Sequence, residues 1–253
     1  MLKRLRRNRA MSACAPILCL GALMLAPGSA TSAPPEPQLP LSLCAPDQNT
    51  FSLQIDNPYF PLPVGGVWVL GGRDQGQDLG LRVTVLNRTE TFRFGRVRVT
   101  TRVVEELEWE DANANGVIDP GEDLIEVSLN YFAQTGDGTV CYFGEAVDIY
   151  EGGEIVSHEG AWRADAEGNA PGIFMPAAPQ PGMSFQQEVA PGVAEDEATI
   201  VGTGTATLPD GTVAETITVR DFNPLDGSRG TKVYARNIGI IQDDKLELIS
   251  VTR

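Results

Sequence analysis

Residues 111 to 122, DANANGVIDPGE, place side chains with oxygen atoms at regular intervals along one short segment. A calcium loop of the EF-hand type needs oxygen ligands at positions 1, 3, 5, 7, 9 and 12, and a glycine at position 6 where the chain takes a left-handed turn. Gly116 is that glycine, and the segment meets every position of the pattern D-x-[DN]-x-[DN]-G-x5-E. The sequence therefore predicts one Ca²⁺ site whose ligands are Asp111, Asn113, Asn115, Val117 through its carbonyl, Asp119 and Glu122.

The residues on both sides of this loop alternate between apolar and polar types as strands do. VRVTTRVVEELEW precedes the loop and LIEVSLNYF follows it, and Pro120-Gly121 is a poor first turn for a helix. The segment resembles the DxNxNGxxDxGE loops of bacterial extracellular β-domains, in which calcium stiffens a connection between strands. We therefore expect a structural ion rather than a sensor, and the alternative is an Asn-Gly turn that binds no metal.

A weaker candidate site combines the one histidine of the chain with a glutamate. A two-residue Gly-Gly turn in EGGE would pair Glu151 with Glu154 and would make Glu145 and His158 diagonal neighbours on one face of a hairpin. Such a pair could act as an acid and a base or could bind a second metal. Because no third group converges on it in the sequence, the favoured interpretation is a half-buried histidine that is hydrogen-bonded to a carboxylate.

The N-terminus has the three parts of a secretory signal peptide. MLKRLRRNR carries five basic residues, the apolar run ILCLGALMLA follows, and the small residues PGSATSA allow cleavage after Ala30 or Ala33. We therefore expect a secreted or periplasmic protein. Two of the four cysteines leave with this leader, and Cys44 and Cys141 are expected to form a disulfide in the oxidising compartment.

Charge limits the partners of the chain. The sequence has 34 acidic and 19 basic residues, and five of the basic ones lie in the leader. So acidic a surface repels the phosphates of nucleic acid, and no later run is long and apolar enough to cross a membrane. The expected partner is a protein, a glycan or an apolar ligand, with no nucleic acid and no transmembrane segment after removal of the leader.

Short alternating runs, separated by turns such as GDG, EGGE, PDG and LDG, fill the rest of the sequence. They predict an all-β fold, a single antiparallel twisted barrel, half-barrel or sandwich of about ten strands. The predicted organisation is a signal peptide over residues 1–33, a proline-rich linker over 34–50 and an all-β domain over 51–253.

Several segments carry a resemblance to a known family. NYFAQ, YFGEAVDIYEGGEIVSHEGAWRA and GNAPGIFMP look like an uncharacterised family of secreted bacterial all-β proteins, as do IDNPYFPLPVGG and KVYARNIGII. The resemblance spans residues 51 to 251, with 142 to 164 as its most specific part, and it implies no assigned activity. The closing strands also resemble loosely those of periplasmic half-barrels that carry lipids, which is a likeness of fold.

Three functions from different classes follow from these observations. The first is a non-catalytic binding module with one structural calcium ion. The alternative is a periplasmic carrier, whose concave face near Phe143, Trp162 and Phe174 would hold a lipid or other apolar ligand. The hairpin register places Phe143 opposite Trp162 on that face. The lower alternative is an acidic extracellular hydrolase that uses Glu145 and His158.

Overall fold

The computed structural model describes residues 38–253, so the predicted signal peptide lies outside the described residues. One 3₁₀ turn, Leu41–Cys44, precedes eighteen strands. They are β1 (Phe51–Ser52), β2 (Asp56–Asn57), β3 (Phe60–Pro61), β4 (Val67–Asp74), β5 (Gln77–Phe94), β6 (Val97–Glu110), β7 (Leu124–Thr135), β8 (Val140–Glu151), β9 (Glu154–Ser157), β10 (Trp162–Arg163), β11 (Ala170–Met175), β12 (Ser184–Gln186), β13 (Glu188–Val189), β14 (Glu197–Thr207), β15 (Val213–Phe222), β16 (Arg229–Ala235), β17 (Gly239–Asp243) and β18 (Leu246–Thr252).

Sixteen of these strands form one antiparallel sheet that curves into a nearly closed, barrel-like wall. The order along its main path is β12, β14, β15, β16, β17, β18, β4, β5, β6, β7, β8, β11 and β13, while β1 pairs with β7 and both β9 and β10 pair with β8. The predicted all-β class is confirmed. The strands are more numerous than expected because several short ones, such as β10 and β13, are two residues long and show no alternation.

The longest strands, β5 and β6, form the hairpin that supports the candidate loop. The sequence suggests one extended run over residues 92 to 109, but the chain reverses at Gly95, whose φ of +61° lies in the left-handed region. Glycine adopts that region without strain, so the turn can be tight. Beyond it β6 pairs with β5 as far as Leu79, opposite Glu110.

Aromatic rings fill one part of the barrel interior. Phe60 enters from the N-terminal segment, and its ring centroid lies 5.2 Å from that of Phe132 and 4.4 Å from that of Phe174. Tyr142 stacks on Phe132 with centroids 4.8 Å apart. These side chains are almost fully buried, so burial of aromatic surface stabilises this part of the fold.

Residues 38 to 50, which the sequence assigns to a linker, lie against the domain. Gln38 forms a bridge with Ser184, the Leu39 amide donates to the Ser184 carbonyl at 2.8 Å, and the buried Cys44 is bonded to Cys141. The segment is thus attached at its start and at its middle.

Candidate functional site

The loop from 111 to 122 connects β6 to β7, as the alternating flanks predict. Glu108 pairs with Glu126 across the two strands, and the Glu110 amide donates to the Asp123 carbonyl at 2.9 Å where the loop begins and ends. The Asp111 amide donates to Asp78 on β5 at 3.0 Å. Strands rather than helices therefore hold the loop.

Asp111 organises the first half of the loop. Its side chain is 1% exposed, and its carboxylate accepts the amide of Asn115 at 3.0 Å and that of Gly116 at 2.7 Å. Gly116 has a φ of +72°, and a Cβ atom there would lie 2.8 Å from Ile249 Cδ1. The positive φ favours glycine at the sixth position of the loop, and a larger residue there would also displace the end of the exposed Ile249 side chain.

Asp119 and Glu122 organise the second half. The side-chain amides of Asn113 and Asn115 each donate to Asp119 Oδ2 at 2.8 Å. Both bonds lower the pKa of Asp119, and the bond from Asn113 has the larger effect. Glu122 folds back, so that its two oxygens accept the amides of Ala112 at 3.0 Å and Asp119 at 2.9 Å. Val117 lies between the two halves with its side chain 58% exposed. The six predicted ligand residues are thus brought together in one closed loop.

The donor set consists of three carboxylates, two amides and one carbonyl, all of which are oxygen ligands of the kind that Ca²⁺ prefers. Within residues 38–253, however, no group of three or more His, Cys, Asp or Glu side chains is placed so that it could hold a metal ion. Half of the predicted ligand residues, namely Asn113, Asn115 and Val117, are not of these four types. Calcium binding by this loop stays a prediction.

The predicted disulfide is confirmed. Cys44 and Cys141 are bonded, with their Cα atoms 5.7 Å apart, and both are fully buried. The bond ties the N-terminal segment to β8, which carries the next group of interest.

The predicted register of the β8 hairpin is correct at its turn and wrong further along. Glu151 pairs with Glu154, but the register shifts at Ile149, and Trp162 lies opposite Glu145 instead of Phe143. The irregularity at Ile149 displaces the pairing by one residue, and a second displacement lies between β9 and β10.

Glu145 and His158 have other hydrogen-bond partners. Glu145 Oε2 accepts the Tyr142 hydroxyl at 3.0 Å, whereas His158 Nδ1 lies 2.9 Å from both Asp148 Oδ1 and the Val147 carbonyl. The His158 side chain is 68% exposed, so it is not the half-buried histidine that the sequence favours. The two residues share a cavity without forming the expected pair.

That cavity occupies about 1270 Å³ on the concave side of the sheet. Residues of widely separated strands line it, among them Glu126 on β7, Tyr142 on β8, Phe174 on β11, Lys232 on β16 and Asp243 on β17. Of the three aromatic residues that the sequence predicts on a concave face, Phe174 alone lines the cavity. Phe143 and Trp162 are buried in packing contacts with Phe92 and Tyr142.

Carboxylates dominate the lining of the cavity. Among the described residues that line it, ten are aspartate or glutamate and three are lysine or arginine. On one wall, burial and then the neighbouring charges of Glu145 and Glu108 raise the pKa of Glu126 well above its ordinary value. Glu106 is buried beside this wall, and burial also raises its pKa.

A polar network runs along the same wall. The Tyr142 hydroxyl lies 2.5 Å from Asn130 Oδ1 and 3.0 Å from Glu145 Oε2, and the Asn130 amide donates to Ser128 Oγ at 3.0 Å. Asn130 pairs with Glu145 across β7 and β8, so their side chains project from the same face. For the two residues on β7, the alternation in LIEVSLNYF is the sequence signal that Ser128 and Asn130 share one face.

On the opposite wall, Lys232 lies between two aspartates. It forms an ion pair with Asp221, and its Nζ atom is 4.0 Å from Asp243 Oδ1. Burial acts to lower the pKa of Lys232, but the charges of Asp221 and Asp243 outweigh it and raise that pKa well above its ordinary value. The lysine is therefore charged and belongs to this wall.

Comparisons with known proteins add nothing to this geometry. No family model, curated protein or solved structure matches the chain. In the part of the chain that the structure describes, no helix has the length and apolar character needed to cross a membrane.

Proposed function

We propose that this chain is a secreted or periplasmic, non-catalytic binding protein that takes its ligand in the concave cavity and carries one structural calcium ion in the loop from 111 to 122. The observation that supports the binding role is the cavity of about 1270 Å³, which is larger than the roughly 300 to 1,000 Å³ of ordinary small-molecule sites. The export signal and the family resemblance support the location and stay sequence-based predictions.

The loop supports the calcium part of the proposal. Asp111, Asn113, Asn115, the Val117 carbonyl, Asp119 and Glu122 would hold the ion. The ion would supply positive charge beside the carboxylates of Asp111, Asp119 and Glu122 and would link the end of β6 to the start of β7. Because the loop joins paired strands, binding would stiffen the hairpin and would not open a groove.

The calcium proposal is tested by thermal unfolding with and without Ca²⁺. At a concentration one hundred times the Kd, binding stabilises the fold by about 2.7 kcal/mol. For a domain of this size, that corresponds to a rise in Tm of about 5 to 10 °C. Glu122→Gln should remove the rise because it removes the bidentate ligand, whereas the neighbouring Asp123→Asn should keep it. A folded protein that releases or absorbs no heat when titrated with millimolar Ca²⁺ would contradict the proposal.

The binding role is tested by native mass spectrometry of the protein purified from its export compartment. A retained small molecule that unfolding releases is the expected result. A protein that retains nothing, and that binds none of the chemically diverse probes offered to it, would refute the binding role. Hydrolysis receives less support from the geometry because Glu145 and His158 bond to different partners.

A second pocket of about 530 Å³ favours the alternative, a carrier of an apolar ligand. Its lining includes the apolar side chains of Leu53, Ile55, Leu62 and Val64, which lie between the 3₁₀ turn and β4. A lipid found in the organic extract of the purified protein, and displaced by Leu62→Trp, would favour this alternative. Retention of that lipid by the variant would place it elsewhere.

A further inference from the structure

We propose that Asn115 is a site of spontaneous deamidation and that binding of Ca²⁺ to the loop from 111 to 122 protects it. The protection rests on the proposed calcium site, whereas the deamidation concerns the ion-free loop alone. The product is a loop with aspartate or isoaspartate at its fifth position.

The reacting groups belong to Asn115 and Gly116, which form the one Asn-Gly pair of the sequence. The backbone nitrogen of Gly116 loses its proton to hydroxide and attacks the side-chain carbonyl carbon of Asn115. The bond from that carbon to Nδ2 breaks, and the nitrogen takes a proton from water and leaves as ammonia. Water then opens the five-membered succinimide at either carbonyl, which leaves aspartate or isoaspartate. Glycine favours ring closure because it has no Cβ atom and its backbone turns freely.

Three hydrogen bonds hold these groups in the closed loop. The Gly116 amide donates to Asp111 Oδ2 at 2.7 Å. Asn115 Oδ1 accepts the Val117 amide at 2.7 Å, and Asn115 Nδ2 donates to Asp119 Oδ2 at 2.8 Å. Ring closure breaks these bonds, because it turns the side chain of Asn115 towards a nitrogen that has given up its proton. The reaction therefore proceeds from an opened loop.

Opening of this loop costs little. Asn115 is exposed, and both of its side-chain bonds are exposed as well, so water can replace each of them at a cost of about 1 kcal/mol. Val117 is 58% exposed, so its movement removes little apolar surface from the core. Segments with few buried contacts and exposed hydrogen bonds are the ones that open most readily.

Bound Ca²⁺ would keep the loop closed. Asn115 would be one of its ligands, so the side chain could not turn towards Gly116 without leaving the ion. Only ion-free molecules would then react. At a Ca²⁺ concentration one hundred times the Kd, about one molecule in a hundred is ion-free, so the loss of Asn115 should slow about a hundredfold.

The modification would change the site in which it occurs. Aspartate at position 115 adds a carboxylate to those of Asp111, Asp119 and Glu122, and the number of charged ligands tunes the affinity for Ca²⁺. Isoaspartate instead adds a methylene group to the backbone and displaces the ligands that follow. Protein kept without Ca²⁺ would thus be altered permanently.

The experiment follows the loop by mass spectrometry after the folded protein has been incubated in EGTA. Cleavage after Glu110 and Glu122 releases residues 111–122 as one peptide. Loss of Asn115 is expected. Asn113, which is also exposed but is followed by Ala114, is the internal control and should be retained. Protein unfolded in urea gives the rate of the open chain.

A pair of variants tests the role of the closed loop in EGTA. Asp119→Ala removes the acceptor of Asn115 Nδ2 and should speed the loss. Asp123→Ala, at an exposed position next to the loop, is the matched control and should keep the wild-type rate. The Tm of each variant confirms that it is folded. Equal rates in the two variants would overturn the role of these hydrogen bonds.

The remaining outcomes separate this inference from the calcium proposal. Retention of Asn115 in the folded, ion-free protein, over a period in which the urea-unfolded protein converts fully, would overturn the site. Equal loss of Asn113 and Asn115 would overturn the role of Gly116. If calorimetry shows that Ca²⁺ binds but the loss is not slowed, protection is overturned while the calcium proposal stands. If Ca²⁺ does not bind, protection and the calcium proposal fail together, and the loss in EGTA still decides the site.

Discussion

Removal of the disulfide between Cys44 and Cys141 should cost the protein a large part of its stability. The two residues are 97 positions apart, so the bond closes a long loop that contains β1 to β7. Both sulfur atoms are buried, and the bond joins the N-terminal segment to β8 inside the hydrophobic core. The main effect of removal should be a gain in the conformational freedom of the unfolded chain.

The length of the closed loop sets the magnitude. For a loop of about 100 residues, the chain-entropy model gives about 4.7 kcal/mol at 25 °C. A domain of this size loses about 2 to 4 °C in Tm for each kcal/mol, so the midpoint should fall by about 10 to 20 °C. The denaturant m-value should rise, because an unfolded chain without the cross-link exposes more surface.

The assay is equilibrium unfolding of the double variant Cys44→Ala/Cys141→Ala in urea, beside the oxidised wild type. Wild-type protein denatured and refolded in reductant is the second comparison, because it keeps both side chains and lacks only the bond. A loss below about 1 kcal/mol with an unchanged m-value would refute the reasoning. It would mean that the unfolded chain is restricted by other contacts.

Two further predictions concern buried polar groups. As pH falls from neutrality towards the ordinary glutamate pKa, the folded state binds a proton at Glu126 that the unfolded state still lacks, because the pKa of Glu126 is raised in the folded protein. The wild type should therefore gain Tm over this range, and Glu126→Gln should reduce that gain. Glu167→Gln, at an exposed position that does not line the cavity, should keep the wild-type profile. An identical profile in all three proteins would contradict this. Asn57→Ala should lower the free energy of unfolding by about 2 to 4 kcal/mol in a urea titration, because the buried Asn57 amide donates to the carbonyls of Gly138 at 3.0 Å and Pro176 at 2.9 Å. Wild-type stability in this variant would show that water replaces those bonds.

The all-β class and the loop between β6 and β7 were predictable because their signals are local. Alternation in VRVTTRVVEELEW reports the period of a strand directly. The loop draws its six expected ligands from twelve consecutive residues, so their spacing in the sequence is also their spacing in the loop. The disulfide could be predicted for a different reason, since removal of the predicted leader would leave Cys44 and Cys141 as the only pair.

The β8 hairpin marks the point at which local reasoning fails. The EGGE turn determines the pairing of Glu151 with Glu154, but the register shifts at Ile149, and no local pattern in the sequence predicts that shift. This shift and a second one between β9 and β10 together move Trp162 from Phe143 to Glu145. The expected link between Glu145 and His158 was lost with it.

The sequence by itself determined the strand class, the loop between β6 and β7 and the cysteine pair, because each depends on the order or the inventory of residues. Only the tertiary structure decided the cavity. Its walls come from β7 and β8 on one side and from β15 to β17 on the other, about a hundred residues away along the chain. Closure of the sheet brings Glu126 and Asp221 to the same cavity, and no short-range pattern records how a sheet closes.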